Sequence, residues 1–169
     1  GADSVLDLDG RSLGKPLVAE VAEQRWREMR GRSAYLITGH CLVHPGGEVS
    51  AAASTRVDFA EPDDDEIAAY LATGEPLQVA GGFTLDGYGS AFVSGVDGDP
   101  ANVIGLGIPL LRTMVREAGL RWTDLWRRQR RKWSPGHRDV SRGMLVAGVQ
   151  LRGSGQAGVT TNRPSPSLP

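Results

Sequence analysis

The chain has 169 residues, 40% of them hydrophobic and 23% charged, which suits one globular domain with a sizeable core. Its net charge of −1 conceals an asymmetry: residues 1–118 carry 9 Lys/Arg against 18 Asp/Glu, and residues 119–169 carry 10 against 2. No apolar run approaches the roughly 20 residues that cross a bilayer as a helix and no signal-peptide pattern opens the chain, so no membrane partner is expected and a cytoplasmic location is the default.

Val5, Leu6 and Leu8 run into Asp9-Gly10, the pattern of a short buried strand closed by a turn. A chain that starts inside a sheet, without Met, reads as a piece of a longer protein. From Pro16 to Met29, Val18, Ala22, Trp26 and Met29 recur at helical spacing, with Gly31 as the stop. Ala34 to Val43 and Glu48 to Phe59, separated by Pro45-Gly46-Gly47, read as a hairpin whose second arm alternates Ala53, Thr55, Val57 and Phe59 with polar residues. The single cysteine, Cys41, has no partner for an internal disulfide and reads as a core thiol. His40 and His44 would lie well apart along a strand face, so no zinc site is assigned.

Asp63-Asp64-Asp65-Glu66 precedes Ile67, Tyr70 and Leu71, which places acidic residues at a helix N-terminus, where capping explains them without a metal. Gly74 ends that helix. The glycine-rich stretch from Gly74 to Gly105 reads as a floor that faces a ligand, since glycine lets backbone approach a bound group closely. Ile108 to Ala118 forms a last helix before Gly119. Beyond it, Trp122, Trp126 and Trp133 interleave with Arg127-Arg128-Gln129-Arg130-Arg131-Lys132, and Gly, Ser, Pro and Arg then dominate. The chain therefore divides into a domain over 1–119 and a basic tail over 120–169 that is not expected to fold. A solvated extension is the expectation for the tail, and nucleic-acid contact through it is the alternative.

Four blocks, Gly1-Ala2-Asp3-Ser4-Val5-Leu6, Leu13-Gly14-Lys15-Pro16, Gly74 to Gly89 and Gly98 to Leu106, resemble in order and spacing the Maf family of nucleoside triphosphate pyrophosphatases. The resemblance spans roughly residues 1–119. It implies an α/β fold similar to that of the inosine triphosphatase superfamily, with a central mixed sheet flanked by helices and an active-site cleft between two lobes. It also implies hydrolysis of nucleoside triphosphates to monophosphate and pyrophosphate, with a divalent cation, Mg²⁺ or Mn²⁺, as cofactor and the removal of non-standard nucleotides as a role. A homodimer is among the expected assemblies.

By the same resemblance, Asp3 corresponds to the aspartate that accepts a proton from the attacking water. Ser4 stands where the family usually has Thr and would bind a phosphate or that water. Lys15, between a glycine and a proline, would meet phosphate oxygens as a point charge. Asp86 stands where the family commonly has Gln, and Val79 where it has Lys. An ionised aspartate only accepts hydrogen bonds, so Asp86 is expected to change the contacts to base or phosphate, or to hold the metal. No metal ligand is otherwise assigned.

The family's Ser-rich loop ending in arginines has no counterpart before Gly1, so the chain alone is expected to be impaired or inactive. Two rivals follow. One is a nucleotide-binding or interaction module without turnover. The other is a haloacid-dehalogenase-like phosphatase, suggested by Asp7-Leu8-Asp9-Gly10 but opposed by Arg11 at the next position.

Overall fold

The computed structural model describes residues 1–129. Five strands form one sheet in the order β2-β1-β3-β4-β5: β1 (Ala2–Leu8), β2 (Arg11–Leu13), β3 (Ser33–His44), β4 (Gly47–Phe59) and β5 (Val93–Asp97). Every pairing among the described residues is antiparallel, so the expected mixed sheet is corrected at this point. The connections require it: β1 turns into β2 through Asp9 and Gly10, both at positive φ, and Leu8 pairs Arg11 directly. Two residues can join only antiparallel neighbours. The expected β3–β4 hairpin is present, with Pro45-Gly46 between His44 and its partner Gly47. The three-residue β2 was not anticipated from sequence, being too short to show a period.

Alternation sorts the two faces of the sheet. Leu6, Leu8, Ala34, Leu36, Val57 and Phe59 are buried on one face, and α1 (Ala19–Met29) and α2 (Asp64–Ala72) close over that side. Trp26 of α1 is fully buried there, edge-on to Phe59, Tyr70 and Phe92, and its Nε1 donates to the Gly82 carbonyl at 2.8 Å. An indole buried with its one donor satisfied contributes area and geometry together. The opposite face is open: Tyr35 and Val43 are exposed on it.

Helix α1 begins at Ala19, three residues later than Pro16, because Leu17 sits at φ 68° and breaks the helical path. Helix α2 starts as expected, with a capping box between Asp63 and Glu66. Arg30 holds Asp64 at 2.7 Å. The acidic cluster is thus absorbed by capping and ion pairing. The Gly-rich stretch is not a strand but a chain of 3₁₀ turns over Glu75–Gln78, Ala80–Gly82 and Tyr88–Phe92. Helices α3 (Pro100–Ile104) and α4 (Ile108–Glu117) follow, and then α5 (Trp122–Gln129), where the sequence led us to expect no fold. The rest of the basic tail lies outside the described residues. No helix among the described residues is long and apolar enough to cross a membrane.

Candidate active site

Asp3 lies on β1 opposite Gly39 of β3. By alternation it shares the open face with Val5 and Asp7, whereas Ser4, Leu6 and Leu8 face the helices. Its carboxylate is exposed. Oδ1 accepts the Ser4 amide at 3.0 Å, and Oδ2 has no partner among the described residues. Gly39 contributes no side chain to cover it, and a shallow concavity lined by Asp3, Gly39, Cys41 and Ser50 opens there. Cys41, expected in the core, is only half-buried beside this opening.

Behind Asp3 a polar network fills the helix side of the sheet. The Ser4 and Thr38 hydroxyl oxygens are 2.8 Å apart, and Thr38 donates its only hydroxyl proton to the Asn102 carbonyl at 3.1 Å. Ser4 must therefore be the donor to Thr38. That changes the expectation for Ser4: its proton is held inward, its side chain points away from Asp3, and only lone pairs remain for another group. Donation from Ser4 to a phosphate requires this bond to break. Asn102, fully buried, donates from Nδ2 to the Leu36 carbonyl at 3.1 Å and to Thr55 Oγ1 at 3.2 Å. Thr55 passes its own proton to the Asp99 carbonyl at 3.1 Å.

His40 completes this layer. The Gly107 amide donates to Nε2 at 2.8 Å, so the ring proton resides on Nδ1 and goes to the Thr38 carbonyl at 3.0 Å. His44 sits four residues along β3 and accepts the Gly46 amide, so the pair makes no metal centre. Thr38 was not singled out from the sequence, Thr55 was placed there only by alternation, and His40 only as one of a histidine pair to which no zinc was assigned. The available signal was their phase, since each falls where the alternation of β3 and β4 calls for a core residue.

Lys15 is exposed, on a bridge pinned at both ends. The Gly14 carbonyl accepts the Gly81 amide at 3.2 Å and Arg25 Nη1 at 2.6 Å, and the Leu17 amide donates to the Leu77 carbonyl at 3.0 Å. Pro16 between them is buried against Gly82. Leu6 pairs Leu13, and antiparallel strands run in opposite directions, so the chain past Leu13 and the start of β1 emerge at the same end of the sheet. Lys15 and Asp3 are thereby brought to one end. No carboxylate lies within ion-pair distance of Lys15 among the described residues.

Gly81 and Gly89 of the Gly-rich turns pack against the protein's own atoms. A Cβ on Gly81, at φ 70°, would fall 2.7 Å from Leu6 Cδ2, and one on Gly89 would fall 2.5 Å from the Tyr70 hydroxyl and 2.7 Å from the Thr84 amide. The organiser is Glu75. Its carboxylate accepts from the Tyr70 and Thr84 hydroxyls and, at 3.0 Å each, from the Tyr88 and Gly89 amides. Burial opposes its ionisation, but the bonds from Thr84, Gly89, Tyr88 and Tyr70 together hold its carboxyl below the usual value. Burial, with Glu75 alongside, pushes the Tyr70 phenol up.

Asp86 lines a second notch with Glu75, Gly87, Tyr88 and Ser90, distinct from the concavity at Asp3. Strand register thus brings the segments that carry Asp3 and Lys15 to one end of the sheet, while Asp86 lines a separate notch. Phe83 is core, packed edge-on to Phe59, while Tyr88 is 71% exposed. Asp7 and Asp9, the pair that suggested a phosphatase, build the β1–β2 turn: Asp7 accepts the Gly10 amide at 2.7 Å and Asp9 pairs with Arg32.

The fold is an antiparallel α/β sheet with helices on one side, and the family model for Maf-like protein matches residues 1–118. The chain belongs to this family. It is 59% identical over 128 residues to a nucleoside triphosphate pyrophosphatase of Streptomyces coelicolor, covering 75% of this chain and 62% of that protein. Proteins of the same name from Streptomyces avermitilis and Nocardia farcinica are 56% and 54% identical, with the same coverage of both chains. The chain thus spans about 62% of the length of these curated relatives.

Proposed function

We propose that this chain carries the reactive face of a nucleoside triphosphate pyrophosphatase. The observation that carries the reading is the pairing of an exposed Asp3 carboxylate, one oxygen without a partner, with an unpaired Lys15 at the same sheet end. Asp3 accepts the proton of a water aimed at the α phosphorus. The new bond joins that water's oxygen to the α phosphorus, the bridge to the β phosphate breaks, and pyrophosphate leaves. Lys15 offsets the charge on the departing oxygens. The high identity to proteins named for this activity supports the reading, and the open face around Asp3 supports a cleft of the inosine triphosphatase kind, with a second lobe over that face.

The described residues hold no group of three or more His, Cys, Asp or Glu side chains placed to bind a metal. A lone carboxylate at the reacting centre fits Mg²⁺ or Mn²⁺ held by one protein ligand plus substrate phosphates. Asp3 is that ligand in our reading, and the cation supplies neutralisation of the triphosphate. Incubating the protein with a panel of nucleoside triphosphates and either cation tests the function. Monophosphate plus pyrophosphate supports it, orthophosphate overturns it, and saturable binding without product selects the non-catalytic module instead.

A further inference from the structure

Among the described residues Arg25 makes no ion pair, yet it holds a specific backbone contact at the root of the Lys15 loop. Arg25 projects from α1 and places Nη1 2.6 Å from the carbonyl of Gly14, the residue immediately before Lys15. Arg27, Arg30 and Arg32 on the same stretch each pair with an acidic residue, as do Arg11 and Arg56. Arg25 does not, among the described residues. The guanidinium is partly buried and meets the backbone one residue before Lys15. Burial and the nearby Arg11 both disfavour its charge, and only Glu28 favours it.

A guanidinium has five donors in a rigid fork. The Gly14 carbonyl engages Nη1, which fixes the fork at the root of the Lys15 loop and leaves the remaining donors available. That loop cannot swing away, because Gly14, Pro16 and Leu17 are anchored on the 3₁₀ turns. Leu17, an exposed leucine held at φ 68°, shows that the bridge keeps its shape against local strain.

We propose that Arg25 and Lys15 form a two-cation clamp for polyphosphate oxygens, Arg25 supplying directional, forked contacts and Lys15 a point charge. The inference deepens the proposed function and rests on it for the substrate, but not for the binding. Calorimetric titration of the chain with inorganic tripolyphosphate, without any turnover, is the direct test. Arg25→Gln is expected to weaken binding about tenfold, Arg25→Lys to recover part of the loss, and Arg27→Gln, which removes a charge from the same helix, to leave affinity unchanged. In hydrolysis assays Arg25→Gln should raise KM more than it lowers kcat. If Arg25→Gln binds tripolyphosphate like the parent, or if Arg27→Gln weakens it equally, the clamp is wrong. A parent chain that binds tripolyphosphate in an Arg25-dependent way yet hydrolyses no nucleotide would overturn the proposed activity and leave the clamp standing. Should Arg25→Gln lower the melting temperature, Arg25→Met serves as the second variant, since it keeps an unbranched apolar stem without the guanidinium.

Discussion

At the scale of single residues, exposure separates chemistry from support. Asp3 is exposed with one oxygen unengaged, so Asp3→Asn removes a proton acceptor and almost no packing. Turnover should fall by roughly 10²–10⁴ while the melting temperature stays within error; a paired activity and melting measurement reads both. Asn102 behaves in the opposite way. Asn102→Ala removes the buried donor to the Leu36 carbonyl and to Thr55 Oγ1 and leaves a cavity, and urea unfolding should show a loss of about 3 kcal/mol. Gly81 answers to shape alone. A methyl group there meets Leu6 at 2.7 Å on a backbone at φ 70°, so Gly81→Ala should cost about 1–3 kcal/mol by the same measurement. Asp3 and Lys15 could be proposed from the sequence because their flanking Gly-Ala-Asp and Gly-Lys-Pro contexts are local. Glu75 and Arg25 could not, because what marks them is a set of partners 5 to 14 residues and 11 residues away.

At the scale of elements, the helix faces, the hairpin and the capping box followed from period and turn chemistry, while the 3₁₀ turns did not. Those turns are held by Glu75 rather than by their own propensity, and this has a pH signature. The Glu75 carboxyl is held below its ordinary 4.5 by the hydroxyl and amide donors around it. A group with a depressed folded value contributes stability that is present above the unfolded value and lost as pH falls through the folded one. Stability should therefore decline below about pH 4.5, and Glu75→Gln should flatten that decline while lowering the urea midpoint at neutral pH, since its amide nitrogen would face either the Tyr88 amide or the Gly89 amide in place of an acceptor. Urea titrations of both proteins from pH 7 to pH 3 measure it. Unchanged acid sensitivity in Glu75→Gln would assign the decline to other carboxylates.

For the molecule as a whole, charge sets the conditions of the proposed reaction. Residues 1–118 carry 9 basic against 18 acidic groups, a field that repels a triphosphate, so hydrolysis should vanish on chelation of divalent cations and return when Mg²⁺ or Mn²⁺ is restored. Product assays before and after chelation decide it. The amino-acid order by itself determined the family, the alternation that separates the two sheet faces, the start of α2 and the helix stops near Gly31, Gly74 and Gly119, because each is written in contiguous residues or in a short period. Only the tertiary structure decided that all described strand pairings are antiparallel, that Ser4 turns its proton away from Asp3, that Asp86 stands apart from Asp3, and that Arg25 reaches the Lys15 loop. These depend on which segments meet across the sheet, and register and packing between distant segments have no local signature in the chain.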